Sequence, residues 1–149
     1  MAQIKHIAIS CQDVDATRNF YVETMGLREV GKVTSANAEG YYLSDGNVNL
    51  AILHFKNDQA AGTERGTEWS GIHHIGFEVD SLSEITQKLA EAGSTPREDI
   101  NAALSLHMGG HRTQNVEVKY RAPDGVTIDV SETGWVGTHG LEPEMKIKA

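Results

Sequence analysis

Alternating polar and apolar residues mark two similar strands, one near the start of the chain and one near its middle. Residues 6–9 read His-Ile-Ala-Ile, and residues 74–77 read His-Ile-Gly-Phe. In each copy the histidine lies on the strand face opposite the isoleucine that follows it. A polar imidazole at the same place in two copies of one unit indicates a site that the two copies share.

The repeat continues beyond each strand as a run of apolar residues at helical spacing. The first run follows Asp13 and ends at Gly26, and the second follows Asp80-Ser81 and ends at Gly93. Asp and Ser are preferred residues just before a helix, and Gly is preferred just after one. Each half is therefore predicted to place one helix after its first strand.

A third shared feature is an Asp-Gly turn signal, at residues 45–46 and 124–125, each followed by an apolar run. Each half then reads as a strand, a helix and about three further strands, which is a βαβββ unit. The predicted fold class is α+β, with two βαβββ modules in a single domain. The predicted boundaries are a domain at 1–135, modules at about 1–55 and 72–135, a linker at 56–71 and a tail at 136–149.

Composition narrows the class of protein. The 149 residues carry a formal net charge of −8, and Lys and Arg form no basic cluster, so nucleic acid and anionic membranes are poor partners. No apolar stretch approaches the length of a membrane span, and the first residues lead directly into a predicted strand. The single cysteine, Cys11, excludes an intrachain disulfide, and we expect a cytoplasmic protein.

The candidate chemistry centres on the two repeated histidines. If the modules pack about a pseudo-twofold axis, His6 and His74 point into one cavity. Asp129 interrupts the apolar last strand, where a core strand would carry Val or Ile. Two histidines and one carboxylate form the facial arrangement that suits Fe²⁺ and also accepts Mn²⁺, Ni²⁺, Co²⁺ or Zn²⁺. The alternative is that both histidines bond to backbone groups and that Asp129 is a solvated edge residue.

Residues 3–135 resemble the vicinal oxygen chelate superfamily. That group includes glyoxalase I, methylmalonyl-CoA epimerase, extradiol dioxygenases and bleomycin-binding proteins. The residues that carry the resemblance are His6, the pairs Phe20-Tyr21 and Gly26-Leu27, His74, and the segment Ala122-Pro123-Asp124-Gly125 leading to Asp129. The resemblance implies a curved mixed sheet around a metal-binding cleft, with metal ligands His6, His74 and Asp129. It also implies a homodimer and a small-molecule substrate bound through two adjacent oxygens.

Two departures from the family pattern concern the ligands. The last ligand is usually Glu, whereas Asp129 is one methylene shorter. Glyoxalase-like members take a fourth ligand from the last strand of the first half, and counting from the Asp-Gly turn gives Leu50, which cannot bind a metal. Asn49 would reach the site only after a register shift, and His54 lies further along the strand as an open alternative.

The second half is also longer, with residues 93–124 corresponding to residues 26–45 of the first half. The extra length includes Gly109-Gly110 and His111, and it is typical of an active-site cover. The order of His111, residues 118–125 and Asp129 is similar to the extradiol dioxygenase signature, although Lys119 stands where that signature has Tyr. We therefore expect His111 to act as a general acid or base if the loop folds inward. The alternative is a solvated loop with an incidental histidine.

The sequence thus predicts an enzyme of the vicinal oxygen chelate type that uses a divalent metal to stabilise an oxyanion. The His111 pattern favours a dioxygenase-like reaction, and the short single domain favours glyoxalase, lyase or epimerase chemistry. A metal-free protein that binds a drug or metabolite in the same cleft remains the alternative. Such a protein would not need His6, His74 and Asp129 together.

Overall fold

Seven strands and four α-helices account for most of the regular structure in this computed structural model, which describes residues 1–104 and 117–141. The strands are β1 Gln3–Ser10, β2 Arg28–Thr34, β3 Ala38–Ser44, β4 Asn49–Phe55, β5 Gly71–Glu78, β6 Val118–Arg121 and β7 Thr127–Ser131. The helices are α1 Val14–Asn19, which continues as a π-helical turn over Phe20–Thr24, α2 Asp58–Ala61, α3 Leu82–Glu91 and α4 Glu98–Ala103. A 3₁₀ turn over Pro123–Gly125 precedes β7.

The strands form one mixed sheet in the order β2-β3-β4-β1-β5-β7-β6. In the first half β1 runs parallel to β4, and in the second half β5 runs parallel to β7. The antiparallel pairing of β1 with β5 joins the two halves at the middle of the sheet. The two repeated strands of the sequence are therefore direct neighbours, and the predicted α+β class with its mixed sheet is confirmed.

The helix boundaries follow the capping residues that the sequence indicated. The Ala16 amide donates to the Asp13 carboxylate at the start of α1, and the Glu84 amide donates to the Ser81 hydroxyl at the start of α3. Gly26 and Gly93, which follow the two helical segments, both adopt a φ of 78°. Glycine reaches this left-handed conformation without steric cost, so it ends both helices at equivalent places.

The halves differ where the second half was predicted to begin its three-strand meander. Among the described residues, the counterpart of β2 is reduced to a single bridge between Pro96 and Tyr120. Proline lacks the amide hydrogen that a longer ladder needs. The short helix α4 follows within two residues. Residues 105–116, which include His107, His111 and Arg112, lie outside the described residues.

The two faces of the sheet are packed differently. On one face α1 covers Leu43 and Ile52, and α3 covers a cluster that includes Val118 and Val130. Fully burying a side chain of this size contributes about 1.5–3 kcal/mol. The opposite face carries the smaller Ala8 and Ala51, together with Leu53 and Phe55. Small side chains at the middle of this face leave room for a cavity. None of the helices in the described part of the chain has the length and hydropathy to cross a bilayer.

Candidate metal centre

One row of paired residues crosses five strands and carries most of the candidate site. Going across the sheet, the row consists of Asn49, His6, Gly76, Asp129 and Lys119. His74 lies in the adjacent row, paired with Ala8. Because neighbouring side chains in such rows share one face of the sheet, the three predicted ligands are brought to the same place.

The distances show how closely the three predicted ligands approach one another. His6 Nε2 lies 3.1 Å from His74 Nε2, and His74 Nε2 lies 3.0 Å from Asp129 Oδ2. All three side chains are buried, and that of Asp129 is 0% exposed. The pseudo-twofold arrangement inferred from the repeat thus places both imidazoles in one site, with the carboxylate beside them.

Gly76 makes the close packing around His6 possible. The indole of Trp135 stacks on the His6 ring with an interplanar angle of 3° and a centroid distance of 4.7 Å. A Cβ at position 76 would lie 2.7 Å from the His6 Cβ and 2.7 Å from atoms of the Trp135 ring. Any side chain there would collide with both, so glycine is required for close approach rather than for turn formation.

A chain of hydrogen bonds fixes the orientation of His74. His73 Nε2 contacts the Ala61 carbonyl oxygen, which can only accept, so this nitrogen carries the proton. Neutral His73 then accepts at Nδ1 from His74 Nδ1, 2.8 Å away. His74 Nε2 is left with a lone pair that faces His6 and Asp129.

A different neighbour fixes the orientation of His6. The Asn49 side chain donates from Nδ2 to the Val136 carbonyl at 3.0 Å, which leaves its Oδ1 as the acceptor. His6 Nδ1 donates to this Oδ1 at 2.8 Å. His6 Nε2 therefore also directs a lone pair into the site. Partners of this kind, which hold the second ring nitrogen, are typical of metal-binding histidines.

Burial keeps the three histidines neutral. It lowers the pKa of His6 and of His74 to about 4, and it lowers the pKa of His73 to about 3 with the help of the neighbouring His74. At neutral pH two imidazole lone pairs and a carboxylate oxygen therefore face one another at about 3 Å. Three acceptors at this separation repel one another unless a cation lies between them.

Asp129 is buried among polar and charged side chains of the site. Its neighbours include the His74 ring, the Glu117 carboxyl group and the Lys119 ammonium, whose Nζ lies 3.2 Å from Oδ1. Burial would raise the pKa of Asp129, but protonated His74, which forms only in acid, and the Lys119 ammonium outweigh burial and hold that pKa well below its usual range. Asp129 is thus an ionised, buried carboxylate rather than a solvated edge residue.

A second carboxylate, Glu117, joins the site and was missed in the sequence. The ligating atoms of His6, His74, Glu117 and Asp129 all lie within 4.8 Å of one another. Burial, and then the charge of Asp129, raises the pKa of Glu117 to about 8. The signal that could have found it is strand alternation, because Glu117 precedes Lys119 by two residues and shares its face.

The place equivalent to Asp129 in the first half is Ala51. Asp129 pairs with the residue two places after His74, and Ala51 pairs with the residue two places after His6. The count that gave Leu50 was off by one residue, because the Asp45 carboxylate accepts from two following amides and lengthens that turn. Neither Leu50 nor Ala51 can bind a metal.

The other candidates fall elsewhere. His54 lies on the helix-covered face of β4, and its Nδ1 contacts the Cys11 carbonyl oxygen at 3.0 Å. His111 lies outside the described residues, so its role as general acid or base stays a prediction.

His6, His74 and Glu117 line a small, mostly apolar cavity of about 130 Å³. Its lining combines the polar groups of the site with aliphatic and aromatic side chains from β2, β3 and β4 and from the end of α4. The residues in this lining are His6, Val33, Ser35, Ala38, Tyr42, Ala51, Leu53, Phe55, His74, Leu104, Glu117 and Lys119. A larger surface groove of about 470 Å³ lies away from these ligands, between the end of α3 and the turn before β7.

Comparisons with known proteins identify relatives of this chain. A family model described as the Glyoxalase/Bleomycin resistance protein/Dioxygenase superfamily matches residues 3–130. "Glyoxylase I 4" of Arabidopsis thaliana is 25% identical over 134 residues, covering 87% of this chain and 70% of that protein. The mitochondrial methylmalonyl-CoA epimerase of Bos taurus is 26% identical over 96 residues, covering 61% of this chain and 54% of that protein.

Solved structures share the fold at lower sequence identity. A Streptomyces coelicolor methylmalonyl-CoA epimerase variant in complex with 2-nitronate-propionyl-CoA superposes with a TM-score of 0.67 at 21% identity, covering 87% of this chain and 95% of that chain. A methylmalonyl-CoA epimerase in complex with methylmalonyl-CoA superposes with a TM-score of 0.66 at 22% identity, covering 88% of this chain and 94% of that chain. At these identities the structural likeness concerns the fold alone.

Proposed function

Because the chain belongs to the glyoxalase, bleomycin resistance and dioxygenase superfamily, we propose that it is a divalent-metal-dependent enzyme acting on a small substrate with two adjacent oxygens. His6, His74 and Asp129 would hold the metal. When bound, the metal would supply Lewis-acid stabilisation of an oxyanion. The remaining coordination positions would face the cavity, where the substrate oxygens replace water.

One observation carries this proposal. Two lone pairs and a carboxylate oxygen converge at distances of 3.0–3.1 Å, and the partners of His6 and His73 fix the direction of those lone pairs. Two buried histidines with a purely structural role would instead share a proton or direct both ring nitrogens to backbone groups. Donors of this type and number match a site for Fe²⁺, Mn²⁺, Ni²⁺, Co²⁺ or Zn²⁺.

The reaction that we propose is proton transfer at a carbon next to a carbonyl, as in an isomerase, epimerase or lyase. The names of the relatives, glyoxalase I and methylmalonyl-CoA epimerase, favour this over ring cleavage. Glu117 is the carboxylate placed to take or return the proton, because it lies beside the ligands without being one of the three predicted donors. It serves as a fourth ligand if it turns toward the metal.

Metal analysis of protein purified without added metal tests the proposal. We expect about one divalent ion per chain in the parent and none in the double variant His6→Ala/His74→Ala. His139→Ala, at a largely exposed histidine outside the cluster, is the matched control and should keep the metal. A parent without stoichiometric metal after reconstitution, or a double variant that keeps it, would refute the metalloenzyme proposal.

Solvent exchange tests the reaction separately from the metal. The metal-loaded protein is incubated in D₂O with 2-oxo acids, 2-hydroxy ketones and malonyl-type thioesters, and deuterium at the carbon next to the carbonyl is followed by NMR. We expect exchange with at least one class and its loss in Glu117→Gln with metal retained. Loss of metal in Glu117→Gln would make Glu117 a ligand rather than the base.

A second candidate function rests on a different observation. The Lys119 ammonium forms an ion pair with Asp129. A metal-free binding protein of the bleomycin-resistance type would need such a cation in place of a metal ion. Such a protein would bind an organic ligand in the apolar cavity and give no stoichiometric metal. The metal analysis above separates the two functions.

We further propose a homodimer, as the family resemblance implies, with the small molecule as the functional partner. Sedimentation at micromolar concentration should give a mass near twice 16.2 kDa. A monomer would contradict this part of the proposal without affecting the metal site.

A further inference from the structure

Lys119 is a buried cation inside the cluster of candidate ligands. Its side chain is 2% exposed, and its Nζ lies 3.2 Å from Asp129 Oδ1. Lys119 and Asp129 are directly paired across β6 and β7. Lysine is rarely buried unless its charge is matched, so the ion pair accounts for its presence here.

The backbone around Lys119 is held so that its side chain stays on the cavity side. Asn101 of α4 donates to the Lys119 carbonyl oxygen at 3.0 Å and accepts from the Lys119 amide at 2.9 Å. The Arg97 amide donates to the same carbonyl oxygen at 2.9 Å. The neighbours Val118 and Tyr120 pack on the opposite face with α3. These contacts fix the backbone of Lys119, so its side chain extends into the site and not into solvent.

The charges of the site do not allow Lys119 and a metal to share Asp129 without cost. Asp129 is the carboxylate of the proposed ligand set, and the Lys119 ammonium already balances its negative charge at 3.2 Å. A divalent ion between His6, His74 and Asp129 would lie within a few Å of the ammonium. Like charges at such a distance in a buried site repel strongly.

We propose that Lys119 is a counter-ion that balances the charge of Asp129 when the metal is absent. Because its ammonium must move away from Asp129 when the metal binds, Lys119 also weakens metal binding. This inference rests on the proposed metal site. Four methylene groups let the ammonium move into the cavity without moving the strand. Lys119 thereby keeps the empty site folded and sets how tightly the metal is held.

The test compares Lys119→Met with the parent. Methionine keeps an unbranched side chain of similar length without the charge. Zn²⁺ and Mn²⁺ affinities are measured by titration calorimetry on the metal-free proteins, and melting temperatures are measured with and without metal. Lys88→Met, at an exposed lysine of α3, is the matched control.

We expect Lys119→Met to bind metal at least tenfold more tightly than the parent, to melt at a lower temperature without metal, and to gain more from metal addition. Lys88→Met should match the parent. If the parent binds metal and Lys119→Met binds equally or more weakly, the Lys119 inference is overturned and the proposed function stands.

Two further outcomes separate the inference from the proposed function. Metal binding by Lys119→Met but not by the parent would support Lys119 as the counter-ion and overturn the proposed function. Binding by neither protein would overturn both. If Lys119→Met does not fold, the double variant Lys119→Met/Asp129→Asn decides the counter-ion role, because removing both charges should restore folding. Failure of the double variant to fold would count against that role.

Discussion

The two halves of the sheet share the parallel pairing of β1 with β4 and of β5 with β7, but the side chains that they bring to the site differ in chemistry. His6 in the first half and His74 in the second stand at equivalent places, but Ala51 stands where the second half has Asp129. The second half also supplies Glu117 and Lys119 from β6 and the segment before it. A repeated fold therefore brings two histidines together by symmetry, whereas the charges come from one half alone.

Removing the Asp129 carboxylate, which only the second half supplies, should have the largest effect on metal binding. Asp129→Asn should weaken metal binding more than 100-fold, because the anionic charge is lost at nearly constant shape. Asp129→Glu should retain metal, since Glu is the usual residue of the family at this place. Metal stoichiometry and calorimetric affinity are the measurements.

Asp124→Asn is the control for Asp129, because it makes the same chemical change in the exposed turn just before β7. It should leave metal binding unchanged. If Asp129→Asn binds metal like the parent, the third ligand lies elsewhere, and Glu117 is the next residue to replace.

The orienting partners of the two histidines allow a finer comparison. His6 is held by Asn49 of the neighbouring strand, and His74 is held by His73 of its own strand. We expect Asn49→Leu and His73→Phe each to lower metal affinity 10–100-fold, as is usual for such partners. Asn49→Asp, which retains an acceptor for His6, should recover much of the affinity. Unchanged affinity in both Leu and Phe variants would show that packing alone orients the rings.

Adding a carboxylate to the first half would make the halves more alike. Ala51→Asp places an acid at the position equivalent to Asp129, on the wall of the cavity. In the metal-free protein it should lower stability, because a third carboxylate in this buried site lacks a cationic partner. With metal it should raise affinity several-fold, as calorimetry would detect. An affinity equal to that of the parent would mean that Ala51 does not face the metal.

Acid sensitivity should also divide unequally between the halves. The pKa values of His6, His73 and His74 are lowered in the folded protein to about 4, 3 and 4. Below the unfolded value of about 6.5, the unfolded chain binds protons that the folded chain excludes, so stability falls as the pH drops from 6.5 toward 4. Each such histidine adds up to about 1.4 kcal/mol per pH unit to this loss.

Urea unfolding of the metal-free protein at pH 7 and pH 5 measures that loss. His6→Gln should remove the contribution of one histidine to this loss of unfolding free energy, and the double variant His73→Gln/His74→Gln should remove the contribution of two. Glu117 acts in the opposite sense, because its pKa is raised to about 8 and it therefore costs stability as the pH rises above 4.5. Equal acid losses in all variants would mean that other groups dominate the acid response.

The sequence alone determined the repeat, the fold class and three residues of the candidate site. These features depend on local patterns: alternation in the strands, capping residues such as Asp13, glycine after each helix, and a charged residue in an apolar strand. The family resemblance rested on the same residues. The role of His111 could be named from the sequence but lies outside the described residues.

Only the tertiary structure decided which strands are neighbours and in what register. Strand pairing placed Ala51 rather than Leu50 opposite Ala8. One residue added to the turn before a strand moves every side chain of that strand to the other face. It also placed Lys119 against Asp129 and brought Glu117 to the ligands. Such contacts join residues far apart in the chain or on separate strands. No local pattern carries them, so the charge balance of the site became visible only in the folded protein.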